Sequence, residues 1–345
     1  MVASAAAHRT AVRAIGLLLA LVLLAAVIFL SLALGARQID PGAVIGALVH
    51  PGLDAANATA NTDQMVVREL RVPRTLIGVV AGAALALAGA IVQGLTRNPL
   101  ADPGLLGVNA GASLFVVVGI TFFGVSQAFG QVWFAFAGAA VATAIVYLVS
   151  AGRGGPTPVA LTLAGSAVTA AMTSIITLLL LGNLDTLNQF RFWAVGSLVG
   201  RSLDSLAVLG PFVAVGVALA LSLARSLNVL SRGEDVARGL GAHVARSRIL
   251  ASIAVVLLCG SATALAGPLV FIGLVVPHIA RRFTGPDYRW ILAYCLVLGP
   301  ILLVLADVIG RLIVMPAELE AGLVVAMVGA PVMIALVRSR KLGVL

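Results

Sequence analysis

Residues 228–248 read NVLSRGEDVARGLGAHVARSR, and they form the longest charged segment between the apolar runs of the second half of the chain. Apolar runs lie before it, over residues 203–224, and after it, over residues 249–266. Charged side chains are costly in the core of a bilayer, whereas each flanking run is close to the length that a membrane-spanning helix needs. The segment is therefore expected at one face of a membrane, held between two spans.

A short helix is predicted inside this segment. Glu234 and Asp235 follow Gly233 directly, and acids in a first turn stabilise a helix N-terminus. Gly239 and Gly241 are expected to end the helix. The composition is consistent with two interpretations: a surface helix that a partner protein grips, or an ordinary loop whose arginines only set the topology.

The overall composition indicates a polytopic membrane protein. Hydrophobic residues make up 61% of the 345 residues and charged residues 10%, whereas charged residues form about a quarter of a soluble domain. The net charge of +9 does not indicate nucleic-acid binding, because the basic residues lie in short breaks between apolar runs. Cys259 and Cys295 lie within separate apolar runs, which predicts core residues rather than a disulfide or a metal pair.

Membrane-spanning helices account for most of the chain in this prediction, which gives an all-α fold. A span needs about 20 apolar residues, and about ten runs are long enough to cross or nearly cross a bilayer. The eighth run is short and is flanked by Pro268 and Pro277. The predicted cores cover residues 14–34, 76–95, 105–123, 129–149, 159–181, 206–224, 249–266, 269–279, 290–314 and 322–337.

The distribution of arginine predicts the orientation. With the N-terminus placed in the cytoplasm, the inner segments carry a large excess of basic residues, whereas acids slightly outnumber bases in the outer segments. Both termini and the loop 228–248 are then cytoplasmic, and the segments 35–66 and 182–205 are extracytoplasmic. We therefore expect a multi-pass protein of the cytoplasmic membrane.

The sequence carries no signature of catalysis. It has no G-x-x-x-x-G-K-[ST] phosphate loop, its only lysine is Lys341, and its histidines stand apart without metal-ligand spacing. We predict no catalytic residue, no cofactor, no metal site and no ATP hydrolysis by this chain. An ion-coupled secondary transporter, the alternative from another class, usually needs acids near the middle of its spans, and the acids here cluster at span ends. Asp307 and Arg311, four residues apart on the ninth run, can face one another on one side of a helix.

Several long motifs in a fixed order carry a family resemblance. They read RVPRT from Arg71, GAALALAGAIVQGLTRNPLADPGLLG over residues 82–107, GEDVARGLG from Gly233 and GPLVFIGLVVPHIARR from Gly267. Together they resemble the iron-chelate (siderophore) and cobalamin uptake permeases of ABC importers. The resemblance implies a single transmembrane permease domain over residues 1–345 with the type II importer fold.

The resemblance also implies partners and a function. Such permeases pair around a central pathway, either with a second copy or with a paralogue, bind two cytoplasmic ATP-binding subunits and receive cargo from an extracytoplasmic binding protein. By this resemblance the chain moves a metal chelate inward by ATP-driven alternating access, with ferric siderophore as the expected cargo and haem or cobalamin as alternatives. A membrane scaffold that transports nothing is a further alternative, and no nucleic-acid partner is expected.

Two groups of site residues follow from the resemblance. ATPase coupling is assigned to Arg232, Gly233, Glu234, Ala237, Leu240 and Gly241. Docking of the binding protein is assigned to Arg68, Arg71, Arg74 and Arg311. The first three of these arginines are expected to point outward from one side of a helical turn, and Arg71 and Arg74 match the family's R-x-P-R motif. Lipid phosphates are the alternative partners of these arginines.

A third group is predicted to line the transport pathway. Ser166, Thr169, Thr173 and Thr177 fall on a single helical face of the fifth run, in a helix that the resemblance places beside the pathway. Close packing of membrane helices is the alternative role for such small residues. Residues 190–201 resemble the family's short outer helix. One departure from the family pattern is Glu320, which stands where a proline is usual before the last span.

Overall fold

The computed structural model describes residues 2–35, 37, 39–49, 58–152, 155–241 and 243–338. Parts of the predicted outer segment 35–66 and both ends of the predicted domain 1–345, with Lys341, lie outside this description. Within the described ranges the chain is helical apart from loops and one antiparallel pair of two-residue strands, β1 (Ala151–Gly152) and β2 (Gly155–Pro156).

The helices follow one another along the chain with short connections. A π-helical turn, Val66–Arg71, joins α3 to α4, and another, Val256–Gly260, joins α12 to α13, so each of these pairs forms one continuous rod. A 3₁₀ turn, Pro103–Leu106, precedes α5. The α-helices are α1 (Val2–Ala33), α2 (Pro41–Val49), α3 (Ala58–Met65), α4 (Val72–Thr96), α5 (Val108–Phe123), α6 (Ala128–Ser150), α7 (Pro158–Gly182), α8 (Leu184–Ala194), α9 (Leu203–Ser222), α10 (Ala224–Leu230), α11 (Glu234–Gly239), α12 (Val244–Val255), α13 (Ser261–Ala266), α14 (Ile272–Thr284), α15 (Tyr288–Ile313) and α16 (Ala321–Arg338).

The all-α polytopic fold predicted from the sequence is confirmed. Seven helices of the described chain are long and apolar enough to span a bilayer, and α5 and α16 add shorter apolar segments. The eighth predicted run, residues 269–279, lies on α14, which begins only at Ile272. Residues 267–270 before it are not helical, so this run is shorter as a helix than its apolar composition implies.

The helix α4 forms the centre of the molecule. Within the span that runs from Thr62 to Thr96, 78% of the most apolar window is buried, compared with 17% for α7. Glycine makes this packing possible, because a Cβ atom on Gly82 would lie 2.6 Å from the carbonyl oxygen of Gly299 on α15. At Gly89 a Cβ atom would overlap the backbone of Gly273 on α14. Small residues therefore allow α14 and α15 to contact the backbone of α4 directly, as is common between membrane helices.

The short outer helix lies earlier in the chain than predicted. It is α8, over Leu184–Ala194, rather than the segment 190–201. Asn183 caps it, since its side-chain oxygen accepts a hydrogen bond from the backbone N–H of Thr186 at 3.0 Å. Gly196 has a φ of +75° and ends the helical path, which leaves the apolar residues that follow in a loop.

Candidate docking, coupling and pathway sites

Arg74 lies at the centre of a buried ion cluster at the end of the membrane domain assigned to the outside. The cluster joins α4 to α15 and to the loop that follows α15. The guanidinium of Arg74 donates to both carboxylate oxygens of Asp307, at 2.7 to 3.0 Å, and to Glu318 Oε2 at 2.6 Å. Arg74 is 8% exposed and Asp307 is 1% exposed. This paired geometry compensates the charge of both buried side chains.

Arg311 completes the cluster from the same helix as Asp307. The two residues form the ion pair that their spacing of four predicted. Arg311 also donates to the backbone carbonyl and to the hydroxyl of Ser31 on α1, both at 2.8 Å. The Ser31 hydroxyl in turn contacts the hydroxyl of Thr75 at 2.7 Å. One buried carboxylate thus holds two arginines, and these tie α1, α4 and α15 together.

Arg68, Arg71 and Arg74 do not share one outward-pointing side, and this part of the prediction is wrong. Arg68 donates to the carbonyl of Ala47 on α2 at 2.6 Å, whereas Arg71 donates to the carbonyls of Leu32 and Ala33 at 2.7 Å. The cause is the π-helical turn Val66–Arg71, in which a spacing of three residues covers less of a turn than in an α-helix. Arg71 and Arg311, at 5% and 2% exposure, are buried like Arg74.

A cavity of about 600 Å³ lies above this cluster. Its basic lining residues outnumber its acidic ones; the charged residues that line it are Arg37, Glu69, Arg71, Arg74, Arg201, Arg311 and Glu318. Arg201, in the loop before α9, was not among the predicted docking residues. Within the described residues it donates to the carbonyl of Ser197 at 3.4 Å and forms no ion pair. Burial lowers the pKa of Arg201 to about 10, so its guanidinium remains charged at neutral pH.

The predicted coupling segment contains the expected short helix, but not the expected exposed face. The helix α11 begins after Gly233, which has a φ of +117°, and Gly241 with a φ of +77° follows its end. Leu240 is 65% exposed, whereas Ala237 is 0% exposed and packs inside the chain. Ala237 is therefore not available to a partner, and this part of the coupling assignment is wrong. The reason is the length of the helix. The helix α11 has only six residues, and the side of it that packs against the bundle includes the central residue Ala237.

Val236, the residue before Ala237, is the exposed apolar side chain of α11. Val236 is 48% exposed and lies four residues before Leu240, which directly follows α11. The backbone N–H of Leu240 donates to the carbonyl of Val236 at 3.0 Å, so the two residues lie on the same side. The two side chains form a small apolar surface at the end of the bundle that the sequence assigns to the cytoplasm. The side chain of Glu234 lies outside the described part of the chain.

A polar network behind α11 was missed in the sequence. The side-chain amide of Asn228 on α10 donates to Asp287 Oδ1 at 2.8 Å, and its oxygen accepts from the backbone N–H of Tyr288 at 2.8 Å. Arg281 on α14 donates to Gln93 Oε1 at 2.5 Å and to the Tyr288 hydroxyl at 3.2 Å. The network links α4, α10, α14 and α15. Its contacts reach across up to 188 residues of sequence, so no local spacing indicates it; the one signal is the polar Gln93 inside an apolar run.

The predicted pathway residues lie on the least buried of the long helices, α7. Ser166, Thr173 and Thr177 are exposed and Thr169 is half-buried, so the hydroxyl face does not pack against this chain. Ser166 and Thr177 donate to the carbonyls four residues earlier, both at 2.9 Å, which satisfies their hydroxyls within the helix. Close packing within the subunit instead uses Gly165, where a Cβ atom would overlap the carbonyl of Leu105.

Comparison with known proteins agrees with this architecture. Residues 23–339 match the model of the FecCD transport family. The chain is 48% identical over 330 residues to the ferric enterobactin transport system permease protein FepD of Escherichia coli, with 95% of each chain covered. It is 43% identical over 279 residues to the Fe(3+)-citrate import system permease protein YfmD of Bacillus subtilis, covering 81% of this chain and 83% of that protein. A solved structure titled as an inward-facing conformation of a metal-chelate type ABC transporter aligns with a TM-score of 0.81 at 26% identity, covering 94% of this chain and 98% of the other.

Proposed function

Since the chain belongs to the FecCD transport family, we propose that it is the membrane-spanning permease subunit of an ABC importer that moves a ferric siderophore inward across the cytoplasmic membrane. The observation that carries this proposal is the 48% identity to a ferric enterobactin permease over 95% of both chains. The all-helical fold and the similarity to a metal-chelate transporter support it.

Separate subunits hydrolyse the ATP in this proposal. The chain has no phosphate loop of its own, so the free energy of hydrolysis must reach it through contacts with other proteins. We assign two ATP-binding subunits to the cytoplasmic side, a second permease subunit to the membrane, and a binding protein to the outside. Both termini lie in the cytoplasm, as the excess of arginine in the inner segments indicates.

The ATP-binding subunit contacts α11. Val236 and Leu240 offer an exposed apolar surface, while the buried Ala237 holds the helix against the bundle. Behind α11, the network of Asn228, Tyr288 and Arg281 connects the end of α10 to α14 and α15. A displacement of α11 by the ATP-binding subunit would therefore reach the helices that pack on α4.

The binding protein docks over the arginine cavity at the outer end. The buried Arg71, Arg74 and Arg311 line this cavity, and so does the partly exposed Arg201. A surface with excess positive charge selects acidic side chains, which increase the rate and the specificity of encounter more than the affinity.

The hydroxyl face of α7 lines the pathway between two permease subunits. Its residues project away from their own subunit, as side chains beside a shared pathway must. Hydroxyls that are already bonded to their own helix hold a passing chelate only weakly, which suits a pathway that has to release its cargo.

Uptake by cells tests the cargo. A strain that lacks its own ferric enterobactin permease would receive this chain. It would also receive the ATP-binding subunit and the binding protein that work with this chain. We expect radioactive iron to enter when it is supplied as a ferric siderophore. Uptake of haem or cobalamin without uptake of a siderophore would show that the cargo is haem or cobalamin. If none of them is taken up, the proposed function is contradicted.

A further inference from the structure

The carboxylate of Glu318 differs from that of Asp307, although both bind Arg74. Asp307 is buried and is held by two arginines, whereas Glu318 has one ion pair within the described chain and a side chain that is 29% exposed. Glu318 lies in the loop after α15, whose backbone is anchored because Leu319 donates to the carbonyl of Gly310 at 3.0 Å. The side chain of Glu318 can therefore leave Arg74 without movement of the backbone on which it stands.

Other hydrogen-bond donors lie close to the place where Glu318 would go. Glu318 and Arg201 both line the arginine cavity, and both also line a second outer cavity of about 600 Å³. Trp193 lines this second cavity too, and its indole N–H is buried without an acceptor among the described residues. A buried donor without an acceptor costs free energy of folding. Arg201 is a partly buried cation, and it forms no ion pair among the described residues. Among the described residues neither Arg201 nor the Trp193 indole has a carboxylate partner, although Glu320 also lines the second cavity.

We propose that Glu318 is an exchangeable counterion that occupies the docking site of Arg74 until a carboxylate of the extracytoplasmic partner replaces it, and that Glu318 then pairs with Arg201. This inference rests on the proposed function, because it assumes that an acidic partner docks at the arginine cavity. Arg74 keeps Asp307 and one further carboxylate throughout the exchange, and Arg201 gains a carboxylate, so docking leaves no buried charge without compensation. Glu318 sets the docking affinity by competing for Arg74.

The first test uses glutarate, a soluble dicarboxylate, and needs no protein partner. The permease complex in lipid nanodiscs is treated with phenylglyoxal, and mass spectrometry follows the modification of Arg201. We expect glutarate to protect Arg201 in the wild type and Glu318→Gln to remove most of this protection, because the neutral amide cannot form an ion pair with Arg201. Glu320→Gln is the matched control, because it removes the same charge from the second cavity without touching Arg74. An equal effect of Glu320→Gln would show net charge alone and overturn the exchange.

The second test measures docking of the substrate-loaded binding protein on the same nanodiscs. Glu318→Gln should tighten docking by about two- to fivefold, the range that exposed ion pairs support. Arg201→Gln should weaken docking in the wild type and have a smaller effect in the Glu318→Gln background. If Glu318 is instead a fixed brace of Arg74, Glu318→Gln will weaken docking and the inference fails. If the binding protein does not dock to the wild type at all, the proposed docking function fails, and the glutarate result then stands by itself.

Discussion

At the scale of single residues, Asp307 is the residue on which the contacts between α1, α4 and α15 at the outer end of the molecule depend. It is 1% exposed and binds the guanidinium groups of Arg74 and Arg311, which hold α4 and α1 against α15. Removal of one partner from a buried ion cluster leaves charges without compensation, and this costs about 3 to 5 kcal/mol.

Asp307→Asn is accordingly expected to destabilise the protein by about 3 to 5 kcal/mol. The side chains are almost equal in size, so the loss comes from charge and not from packing. Thermal unfolding in detergent measures it as a lower Tm. Asp204→Asn, at an exposed position in the first turn of α9, is the control and should shift the Tm little. A Tm as high as that of the wild type would show that the cluster contributes no net stability.

A second prediction concerns Leu240 and Ala237, which the sequence could not tell apart. Leu240→Asp should leave the fold intact and release the ATP-binding subunit, because the substituted residue is 65% exposed. Ala237→Asp should instead lower the yield of folded protein, because it buries a carboxylate without a partner. Co-purification of the ATP-binding subunit and size-exclusion chromatography measure the two effects. His243→Asp, on the same loop outside α11, is the control, and equal release by it would contradict the assignment.

The ion pairs of Asp307 differ in how far they can be predicted from the sequence. Asp307 and Arg311 are four residues apart, so their pairing follows from helical geometry alone. Arg74 meets Asp307 across 233 residues of sequence, and no local pattern indicates such a contact. Arg68 and Arg71 were expected on one side, but the sequence gives no sign of the π-helical turn that separates them.

At the scale of helices, the apolar runs predicted the elements well, because a run of about 20 apolar residues has few alternatives to a span. The sequence did not predict which helices lie at the centre. The helices α4 and α7 are similarly apolar, yet only α4 is mostly buried. The difference lies in the small residues of α4 that admit two neighbouring backbones, as at Gly82 and Gly89, and this can be judged only when the partners are known.

A third prediction tests α7 as the wall of a pathway. Cysteine at Ser166, Thr173 or Thr177 should react with a charged, membrane-impermeant thiol reagent in at least one nucleotide state of the assembled transporter. Matched positions on the buried side of the same helix are Leu161, Met172 and Ile176. Cysteines there should stay protected. Helical spacing places Ile175 on another face of α7, but its side chain is 47% exposed in this subunit, so it is a poor control.

The labelling starts from a protein in which the buried Cys259 and Cys295 have been replaced by alanine. A charged reagent does not enter lipid or a tight helix interface, so reaction at the hydroxyl face separates a pathway from both alternatives. If this face is protected in every nucleotide state, α7 packs against lipid or the second permease and does not line the pathway.

At the scale of the whole molecule, the exposed surfaces lie where the proposed partners need them. The arginine cavity is at one end, the apolar surface of Val236 and Leu240 lies on the loop 228–248, and the hydroxyl face of α7 lies between these ends. The sequence predicted the class of protein, which is confirmed. The three groups of site residues stay predictions, with corrections at Ala237 and at the shared side of Arg68, Arg71 and Arg74. It did not predict Arg201 or the Gln93 to Tyr288 network, because the cavity that Arg201 lines and the contacts of the network both join segments far apart in the chain.

The central claim is that ATP hydrolysed by other subunits drives a ferric siderophore through this chain. It is tested most directly by uptake into proteoliposomes that contain this chain with its ATP-binding subunit, its binding protein outside, and ionophores that abolish all ion gradients. The account predicts that ferric enterobactin accumulates when ATP is present on the side of the ATP-binding subunit, and that accumulation stops when ATP is removed. Accumulation that follows an imposed proton or sodium gradient without ATP would contradict it.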